Sequence, residues 1–305
     1  MTARVISVGH LDEEQVRSVL RAAMAAPSPH NSQPWRFHCT TATIELHADT
    51  RRAVPAADRE HRELVLSCGA ALLNLRLAIR AIGVHPAVQL LPDPHRPGLL
   101  AIIRPQGHTV VRPDDRELAA AILRRRTDHG PFHPTVAPAS VVAGLRLAAR
   151  TEQAWLPTLT AAHLPILRVL VAEARGAQSH DPAVVAELSR WRDHGADQAY
   201  PSVSGSDIAG DSLVVVIGTF LDLPLARLQA GQAMQRVLLA ATAAGLSASF
   251  LSEVVEVPAT RGQLRDRIVG GLWPQAVLRL GYSSPGPASP RRDLDDVVTS
   301  GPTRV

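Results

Sequence analysis

Apolar positions recur along the chain with two periodicities, one typical of amphipathic helices and one typical of strands. The first helix is marked by Asp12 and Gln15, a capping-box signal, and by apolar residues at helical spacing until Pro27 ends the pattern. The same spacing predicts further helices at about 60–82, 114–126, 141–150, 161–175, 182–191 and 225–244. Alternating or continuous apolar runs predict strands within 35–46 and at 213–220 and 273–280. The pattern therefore predicts an α+β protein.

Two segments have neither the helical nor the strand periodicity. Between Asp193 and Asp211 the composition shifts to Gly, Ser, Asp and Pro, which predicts a long loop or a mobile lid. Towards the C-terminus the segment SSPGPASPRRDLDD is predicted to be a Pro-rich connector on the surface.

An internal repeat is visible when the sequence is shifted by 162 residues. Gly69 then falls on Gly231, and Gly83 falls on Gly245. The apolar matches are Leu66, Ala71, Leu77, Ala78 and Ala81 with Leu228, Ala233, Leu239, Ala240 and Ala243. Alanine and leucine match easily by chance in an Ala-rich chain, so coincidence stays the alternative. Two glycines at the same separation favour a true duplication.

The positive charge of the chain comes from one residue type. All 32 basic residues are arginine, so the chain offers no lysine for a Walker phosphate loop or a Schiff base. The net charge is only +4 although the sequence pI is about 9.9, acidic residues are interleaved with the arginines, and aromatic residues make up 3%. This composition argues against nucleic acid as a partner.

Cysteine and histidine give no metal or disulfide pattern. Cys39 and Cys68 cannot form a CxxC pair or a four-ligand zinc site, and we expect them to be reduced thiols in the core. His129 and His133 are four residues apart, but the glycine and prolines around them are incompatible with a helical metal-binding face. We therefore predict no metal, and the cysteine usage favours a cytoplasmic location.

Targeting and membrane signals are also missing from the pattern. The N-terminus has no apolar run of the secretory type. The longest stretch free of Asp, Glu, Arg and His is 237–252, which at 16 residues is shorter than the roughly 20 apolar residues of a bilayer span. We expect no membrane partner.

The first motif with chemical potential is RRRTDHGPF, from Arg124 to Phe132. Guanidinium groups match phosphate oxygens, a threonine hydroxyl adds a donor, and the Gly-Pro turn allows several donors to converge. The simpler interpretation is that the three arginines only complement the C-terminus of a helix.

The second motif is PSPHNSQPW, from Pro27 to Trp35. Its hydroxyl and amide side chains are held between prolines on a rigid turn, which suits the donor and acceptor edge of an isoalloxazine ring. The alternative is an ordinary polar loop beside a core tryptophan.

Together these motifs resemble the FMN-dependent nitroreductase family, and AGQAMQRVLLAATAAGL and SPRRDLDDVV resemble its Acg-like branch. The likeness extends over nearly the whole chain. It implies a nitroreductase-like fold and one FMN. The implied phosphate contacts are Arg125, Arg126, Thr127, His129, Arg291 and Arg292. The implied ring contacts are Pro27, Ser28, Pro29, Asn31 and Gln33, with backbone donors near Leu251 and Ser252 directed at flavin N5.

The two motifs lie in different halves of the repeat, which predicts how the halves cooperate in building one site. Family members that form dimers place each flavin at the subunit interface. Here the N-terminal half, 1–108, has the ring-contacting turn, whereas the C-terminal half, 109–305, has the RRT element and the possible lid. We therefore expect two α/β halves, each a central antiparallel or mixed sheet packed by helices, fused as an intramolecular pseudo-dimer with a single complete flavin site. We expect a monomer in solution, with further dimerisation as the alternative.

Two positions depart from the family pattern. His129 stands where the family usually has Lys or Arg, which makes part of the phosphate contact pH-dependent. Pro29 stands where a small polar residue is common, which removes a side-chain hydrogen bond to the ring.

The resemblance implies an oxidoreductase in which flavin N5 accepts hydride from NADH or NADPH as a transient reductant and passes it to a small organic acceptor. No side chain need act as an acid or nucleophile in this scheme. One alternative is a protein that stores or sequesters FMN beneath a lid, with little reductase activity. Another is a pathway-specific flavin dehydrogenase that returns electrons to oxygen.

Overall fold

The computed structural model describes residues 5–128, 130–193, 212–284, 286 and 289–301. His129 and the part of the expected lid from 194 to 211 lie outside these residues. The helices are α1 (Glu13–Met24), α2 (Arg62–Ala81), α3 (Pro113–Ile122), α4 (Ala139–Thr151), α5 (Leu164–Ser179), α6 (Pro182–Asp193), α7 (Pro224–Ala243), α8 (Glu253–Glu256), α9 (Pro258–Arg267) and α10 (Leu294–Val297). The strands are β1 (Trp35–Cys39), β2 (Ile44–Ala48), β3 (Val84–Leu90), β4 (Leu99–His108), β5 (Leu213–Thr219), β6 (Ser247–Phe250), β7 (Trp273–Gly281) and β8 (Val298–Ser300).

The strands form two sheets that share a topology. The first sheet has the order β3-β4-β2-β1-β8 and the second has the order β5-β7-β6. In each half a strand leads into a 20-residue helix, a second strand follows the helix, and a third strand pairs between the first two. The set β2, α2, β3 and β4 thus corresponds to β5, α7, β6 and β7, as the sequence repeat predicts.

The two long helices cross at the centre of the molecule through the paired glycines of the repeat. The bounds of α2 and α7 are offset by the same 162 residues that relate the sequence blocks. A Cβ on Gly69 would collide with the carbonyl of Leu228 and lie 2.9 Å from Gly231 Cα, and a Cβ on Gly231 would collide with the carbonyl of Leu66. This reciprocal contact is typical of a two-fold interface, so the halves pack as a pseudo-dimer within one chain.

The helix ends and hydrophobicity of the central pair also match. Gly83 and Gly245 follow α2 and α7 with φ of +80° and +79°, a conformation that favours glycine and ends each helix. By length and composition alone α2 could span a membrane, but most of its side chains are buried inside the fold. Packing against α1, α3 and α7 accounts for its apolar character.

Most predicted elements are present, with one change at a cap. Asp12 and Gln15 form the expected capping box on α1. The helix expected to be capped by Asp114 instead begins at Pro113, and Arg112 precedes it without a side-chain cap. Proline fits the first helical position because the amide it lacks would have no intrahelical partner there.

The Pro-rich segment 283–296, expected to be a surface connector, is mostly exposed where the structure describes it, and the residues that follow it complete the first sheet. After α10, strand β8 pairs in parallel with β1, with Phe37 opposite Val298. The last strand of the chain thus joins the sheet of the N-terminal half. The division at residue 108 stays a prediction, since the halves exchange this strand.

Candidate functional site

A cavity of about 500 Å³ lies where the two halves meet, and we call it the main cavity. The N-terminal half contributes the start of the PSPHNSQPW turn and residues of α2. The C-terminal half contributes Thr127, the segment around Ser252, the strand β7 and the helices α5 and α6. Its walls are mostly apolar with a few polar groups, which is typical of a site for a small organic molecule.

The turn that borders the main cavity is held by its own hydrogen bonds. The amide of Gln33 donates to Ser28 Oγ at 2.9 Å, and the amide of Ser32 donates to the carbonyl of Pro29 at 2.9 Å. His30, Asn31 and Gln33 adopt positive φ values of 50°, 54° and 50°. Left-handed backbone at three non-glycine residues persists only where the surroundings enforce it, and such strain is concentrated at functional sites.

The turn presents its residues to two different places. Pro27, Ser28 and Pro29 line the main cavity, as does His30. Asn31 and Gln33, which were also expected to contact the ring, face the C-terminal segment. Asn31 Nδ2 donates to the carbonyl of Pro290 at 2.9 Å, and the amide of Arg292 donates to Gln33 Oε1 at 3.1 Å.

Arg125 follows α3 and is the most deeply buried cation of the predicted phosphate contacts. It is 5% exposed, and its Nη1 donates to Thr127 Oγ1 at 3.3 Å. Its Nε has no hydrogen-bond partner among the residues that the structure describes. A buried donor without a partner is costly, so this geometry indicates that an acceptor from outside the protein belongs there.

The electrostatics around Arg125 also indicate that a negatively charged group from outside the protein belongs there. Burial and the nearby guanidinium groups of Arg291 and Arg126 lower the pKa of Arg125 to about 9. Burial and Arg126 lower the pKa of Arg291 to about 10. Within the described part of the chain none of these three arginines has an ion-pair partner. The cluster, which we call the arginine triad, is therefore complementary to an anion.

Thr127 links this cluster to the main cavity. It lies on the cavity wall and forms a parallel bridge with Ala248 of β6, and the next amide, that of Asp128, donates to the carbonyl of Ala248 at 2.8 Å. The edge of the second sheet thus fixes the RRT element between the arginine triad and the cavity.

Leu251 and Ser252 follow β6 and differ in what they offer. Leu251 is fully buried, and its amide donates to the carbonyl of Val277 at 3.0 Å, so that donor is used within the protein and does not point into the cavity. Ser252 lies on the cavity wall and begins α8. Of the two, Ser252 is in position to meet a bound molecule.

The two C-terminal arginines are held by backbone carbonyls. Arg291 Nε donates to the carbonyl of Met24 at 2.9 Å, and its Nη2 donates to that of Ala25 at 3.1 Å, at the C-terminal end of α1. Arg292 Nη2 donates to the carbonyl of Asp296 at 2.8 Å. Arg291 therefore joins the arginine triad while also fixing the C-terminal segment to α1.

A second cavity of about 590 Å³ adjoins the main cavity at His30 and Trp191, and we call it the arginine groove. Its cationic lining consists of Arg51, Arg52, Arg190, Arg291 and Arg292, with Glu187 as the acidic lining residue. Asn31 and Gln33 line the arginine groove and not the main cavity.

Two carboxyl groups on the main cavity were not predicted from the sequence. Glu63 begins α2 and Glu256 ends α8, and their side chains hydrogen-bond each other. Burial raises the pKa of Glu63 to about 7, and burial together with Glu63 raises the pKa of Glu256 well above its ordinary value. They are 193 positions apart in the sequence, and neither belongs to a recognisable motif, so only the fold reveals the pair.

The outer side of the main cavity is covered by α5 and α6. Val184, Val185 and Leu188 of α6 line it. The carboxylate of Glu187 accepts hydrogen bonds from the amides of Ala56 and Ala57 at 3.2 Å, which fixes α6 to the N-terminal half. The described helix α6 therefore forms a cover over the cavity.

Comparison with known proteins gives this geometry a family. The nitroreductase family model matches residues 9–57, which include the PSPHNSQPW turn. Two proteins of Mycobacterium tuberculosis that carry NAD(P)H nitroreductase names are similar over almost their whole length. Rv3131 is 34% identical over 94% of this chain and 92% of its own, and acg is 30% identical over 92% of this chain and 94% of its own.

The fold agrees with these sequence relatives. A crystal structure of a protein from Anabaena variabilis that carries a nitroreductase name has a TM-score of 0.56 and 10% identity, covering 89% of this chain and 88% of that chain. The likeness covers most of both chains, so the fold is shared along most of this chain. The chain belongs to the nitroreductase family of oxidoreductases, in its Acg-like branch.

Proposed function

We propose that this chain binds one FMN in the main cavity and transfers hydride from NADH or NADPH to a small organic acceptor. The observation that carries the proposal is the arginine triad, a cationic cluster whose buried central residue, Arg125, has no hydrogen-bond partner for its Nε among the described residues. A phosphate supplies the missing acceptor and the missing negative charge together.

The residues present fit the two ends of FMN. Arg125 and Arg126 with Thr127 would hold the phosphate, and Arg291 completes the cationic surroundings. Pro27, Ser28 and Pro29 on one side and Ser252 on the other would border the ring in the main cavity. The name of the relative Rv3131 supports NAD(P)H as the reductant.

Asn31 and Gln33 contact the C-terminal segment, so we propose a role for them other than binding the ring. Their side chains hold the C-terminal segment against the turn, with Arg292 and Pro290 as partners. We propose that they position Ser28 and Arg291 relative to one another.

When bound, FMN supplies the hydride chemistry at N5. The chain's own residues bind the phosphate, orient the ring and restrict water through the cover formed by α5 and α6. A covered, largely apolar cavity strengthens the polar contacts inside it, because water competes for them less.

A second candidate is storage or sequestration of FMN, and the cover favours it. Glu187 fixes α6 across the cavity, and Trp191 on the same helix lies 5.4 Å from the guanidinium carbon of Arg52. A cover held from both ends slows exchange of substrates as well as of FMN.

Anaerobic mixing of the FMN-loaded protein with NADPH, and separately with NADH, distinguishes the two candidates. A hydride-transferring enzyme loses its visible flavin absorbance with at least one of them and regains it when an acceptor such as a benzoquinone is added. Flavin absorbance that persists with both reductants contradicts the oxidoreductase and supports storage.

A further inference from the structure

An organic acceptor that receives a hydride must also receive a proton, and the main cavity contains a carboxyl group that can donate one. Addition of hydride to a carbon–oxygen or similar double bond leaves negative charge on the second atom, and that atom must receive a proton. The described residues assigned to the flavin carry guanidinium, amide or hydroxyl groups, which are poor acids near neutral pH. The acid must therefore come from elsewhere on the cavity wall, where His30 and the carboxyl groups of Glu63, Glu253 and Glu256 lie.

We propose that Glu63 and Glu256 form a carboxyl–carboxylate pair in which Glu256 is the catalytic acid that protonates the acceptor and Glu63 is its positioning residue. The proposal rests on the proposed function, because the acceptor is expected in the same cavity. Both residues lie on the wall of the main cavity, and their side chains hydrogen-bond each other.

Two carboxyl groups in hydrogen-bond contact need a proton between them, because two buried negative charges repel strongly. Glu63 accepts a hydrogen bond from Arg62 Nη2 at 2.9 Å and is 7% exposed, so it is suited to be the carboxylate. Glu256 has no arginine in hydrogen-bond contact among the described residues, so it is suited to be the protonated partner. Burial also raises the pKa of Glu256 well above its ordinary value, which is consistent with a protonated carboxyl group.

Charges on the surrounding elements do not supply a second cation for the pair. From the loop before α2, Asp58 adds negative charge, and from α8 so does Glu253. Arg175 of α5 donates through Nε to Glu253 at 3.1 Å, and its buried Nη2 makes no hydrogen bond to either member of the pair among the described residues. Among the described residues, Arg62 is the one cation that donates a hydrogen bond to the pair, which leaves the second carboxyl to retain its proton.

The acid is oriented by a side chain on another element. Gln178 of α5 donates through Nε2 to Glu256 Oε2 at 2.5 Å. Arg62 in turn is fixed by the carbonyls of Gln275 and Val255, both next to the main cavity. The carboxyl group of Glu256 is thus held between α5 and α2 at the cavity wall.

The protons and electrons of this reaction balance with NADH or NADPH as the reductant. NAD(P)H provides one hydride, which carries both electrons, through the bound cofactor to the acceptor. The O–H bond of Glu256 breaks and its proton bonds to the atom of the acceptor that gained negative charge. The pair then holds two negative charges and takes one proton from water that enters the main cavity, on whose wall both residues lie. The net change is one NAD(P)H and one proton consumed for each acceptor reduced.

Infrared difference spectroscopy tests the protonated pair without any turnover. We expect the carbonyl-stretch band of a protonated carboxylic acid at pH 6 in the wild-type protein, with and without FMN, and its loss in Glu256→Gln. Glu173→Gln, which changes an exposed carboxylate on α5, keeps the band and serves as the matched control. A wild-type protein without the band, or a band that survives in Glu256→Gln, overturns the proposal.

Stopped-flow measurement of the two half-reactions tests the role of the proton. In Glu256→Gln we expect oxidation of the reduced holoprotein by a benzoquinone to slow by about 10²-fold and to lose its fall at rising pH. Reduction of the same variant by NAD(P)H serves as the internal reference, because it shows whether FMN is bound and accessible. A variant that is reduced and reoxidised like the wild type, with the same pH profile, overturns the proposal while the proposed function stands. Failure of the wild-type holoprotein to be reduced contradicts the proposed function itself.

Discussion

Arg125 is the residue on which flavin binding depends most in this account. Buried guanidinium groups normally have carboxylate partners, whereas Arg125 is surrounded by Arg126 and Arg291. Its charge therefore costs stability in the free protein and contributes affinity in the complex.

Replacing Arg125 with Met separates these two effects. Because hydrogen bonds to charged groups contribute about 1.5–3 kcal/mol, we expect FMN affinity to fall by roughly 10- to 100-fold. The free energy of unfolding of the FMN-free protein is expected to stay equal or to rise. Calorimetric titration with FMN and urea unfolding measure the two quantities.

Arg124→Met is the control for this experiment, since Arg124 is the exposed neighbour in the same motif. It should leave FMN affinity within about twofold, allowing for a small long-range charge effect. Equal losses of affinity in the two variants would show that net charge, and not the buried site, binds the phosphate.

The Glu63–Glu256 pair makes folding stability depend on pH. Burial raises the pKa of Glu63 to about 7 and that of Glu256 well above its ordinary value. The folded protein thus binds more protons than the unfolded chain above about pH 4.5, and the stability linked to these protons is lost as pH rises through about 7.

Glu256→Gln should remove much of this dependence, because an amide can replace the protonated carboxyl group. We expect the variant to gain on the order of 1–3 kcal/mol over the wild type at pH 8, with a smaller difference at pH 5. Urea unfolding at both pH values measures it. A difference between variant and wild type that is the same at both pH values would argue against a raised pKa in the folded state.

At the level of elements, the crossing of α2 and α7 is the most tightly constrained contact. A Cβ on Gly231 would lie 2.8 Å from Leu66 Cα and would also meet the carbonyl of that residue. We expect Gly231→Ala to lower the free energy of unfolding by about 1–3 kcal/mol, because the helices must move apart.

Gly176→Ala is the matched helical control. A Cβ there meets nothing within 4 Å, so alanine should be neutral or stabilise α5 by up to about 1 kcal/mol. Thermal unfolding of both variants checks the pair of expectations. A Gly231→Ala variant as stable as Gly176→Ala would mean that the crossing is looser than described.

We expect helix α6 to control how fast the main cavity exchanges its contents, because it lines that cavity. Glu187→Ala removes the carboxylate that accepts from the amides of Ala56 and Ala57. We expect FMN to dissociate roughly 10-fold faster, since a charge-assisted contact that closes the cover is lost. Flavin fluorescence after dilution measures the rate.

Glu173→Ala, on the neighbouring helix and away from the cavity, should leave that rate unchanged. Loss of the Glu187 contact without faster dissociation would indicate that α6 does not control exit of the cofactor.

For the whole molecule, patterns that are local in sequence were predictable and pairings between distant segments were not. The two central helices follow from apolar spacing and from their terminal glycines. The edge strand β3 was missed because Pro86 interrupts its pattern, which an edge strand tolerates. The strand β8 has three residues, and only its pairing with β1 makes it a strand.

The site shows the same division between local motifs and distant partners. The RRT element and the PSPHNSQPW turn could be located from their residue types. That Asn31 and Gln33 face the C-terminal segment, that the amide of Leu251 is used by Val277, and that Glu63 meets Glu256 depend on contacts between distant parts of the chain.

The central claim is that two related halves of one chain build a single FMN site. The measurement that tests it most directly is the absorbance spectrum of the purified protein saturated with FMN and freed of excess, with flavin counted against protein concentration. We expect one FMN for each chain, because Thr127 joins the arginine triad to the cavity that the start of the ring-contacting turn also lines. Two FMN for each chain, or none, would contradict it.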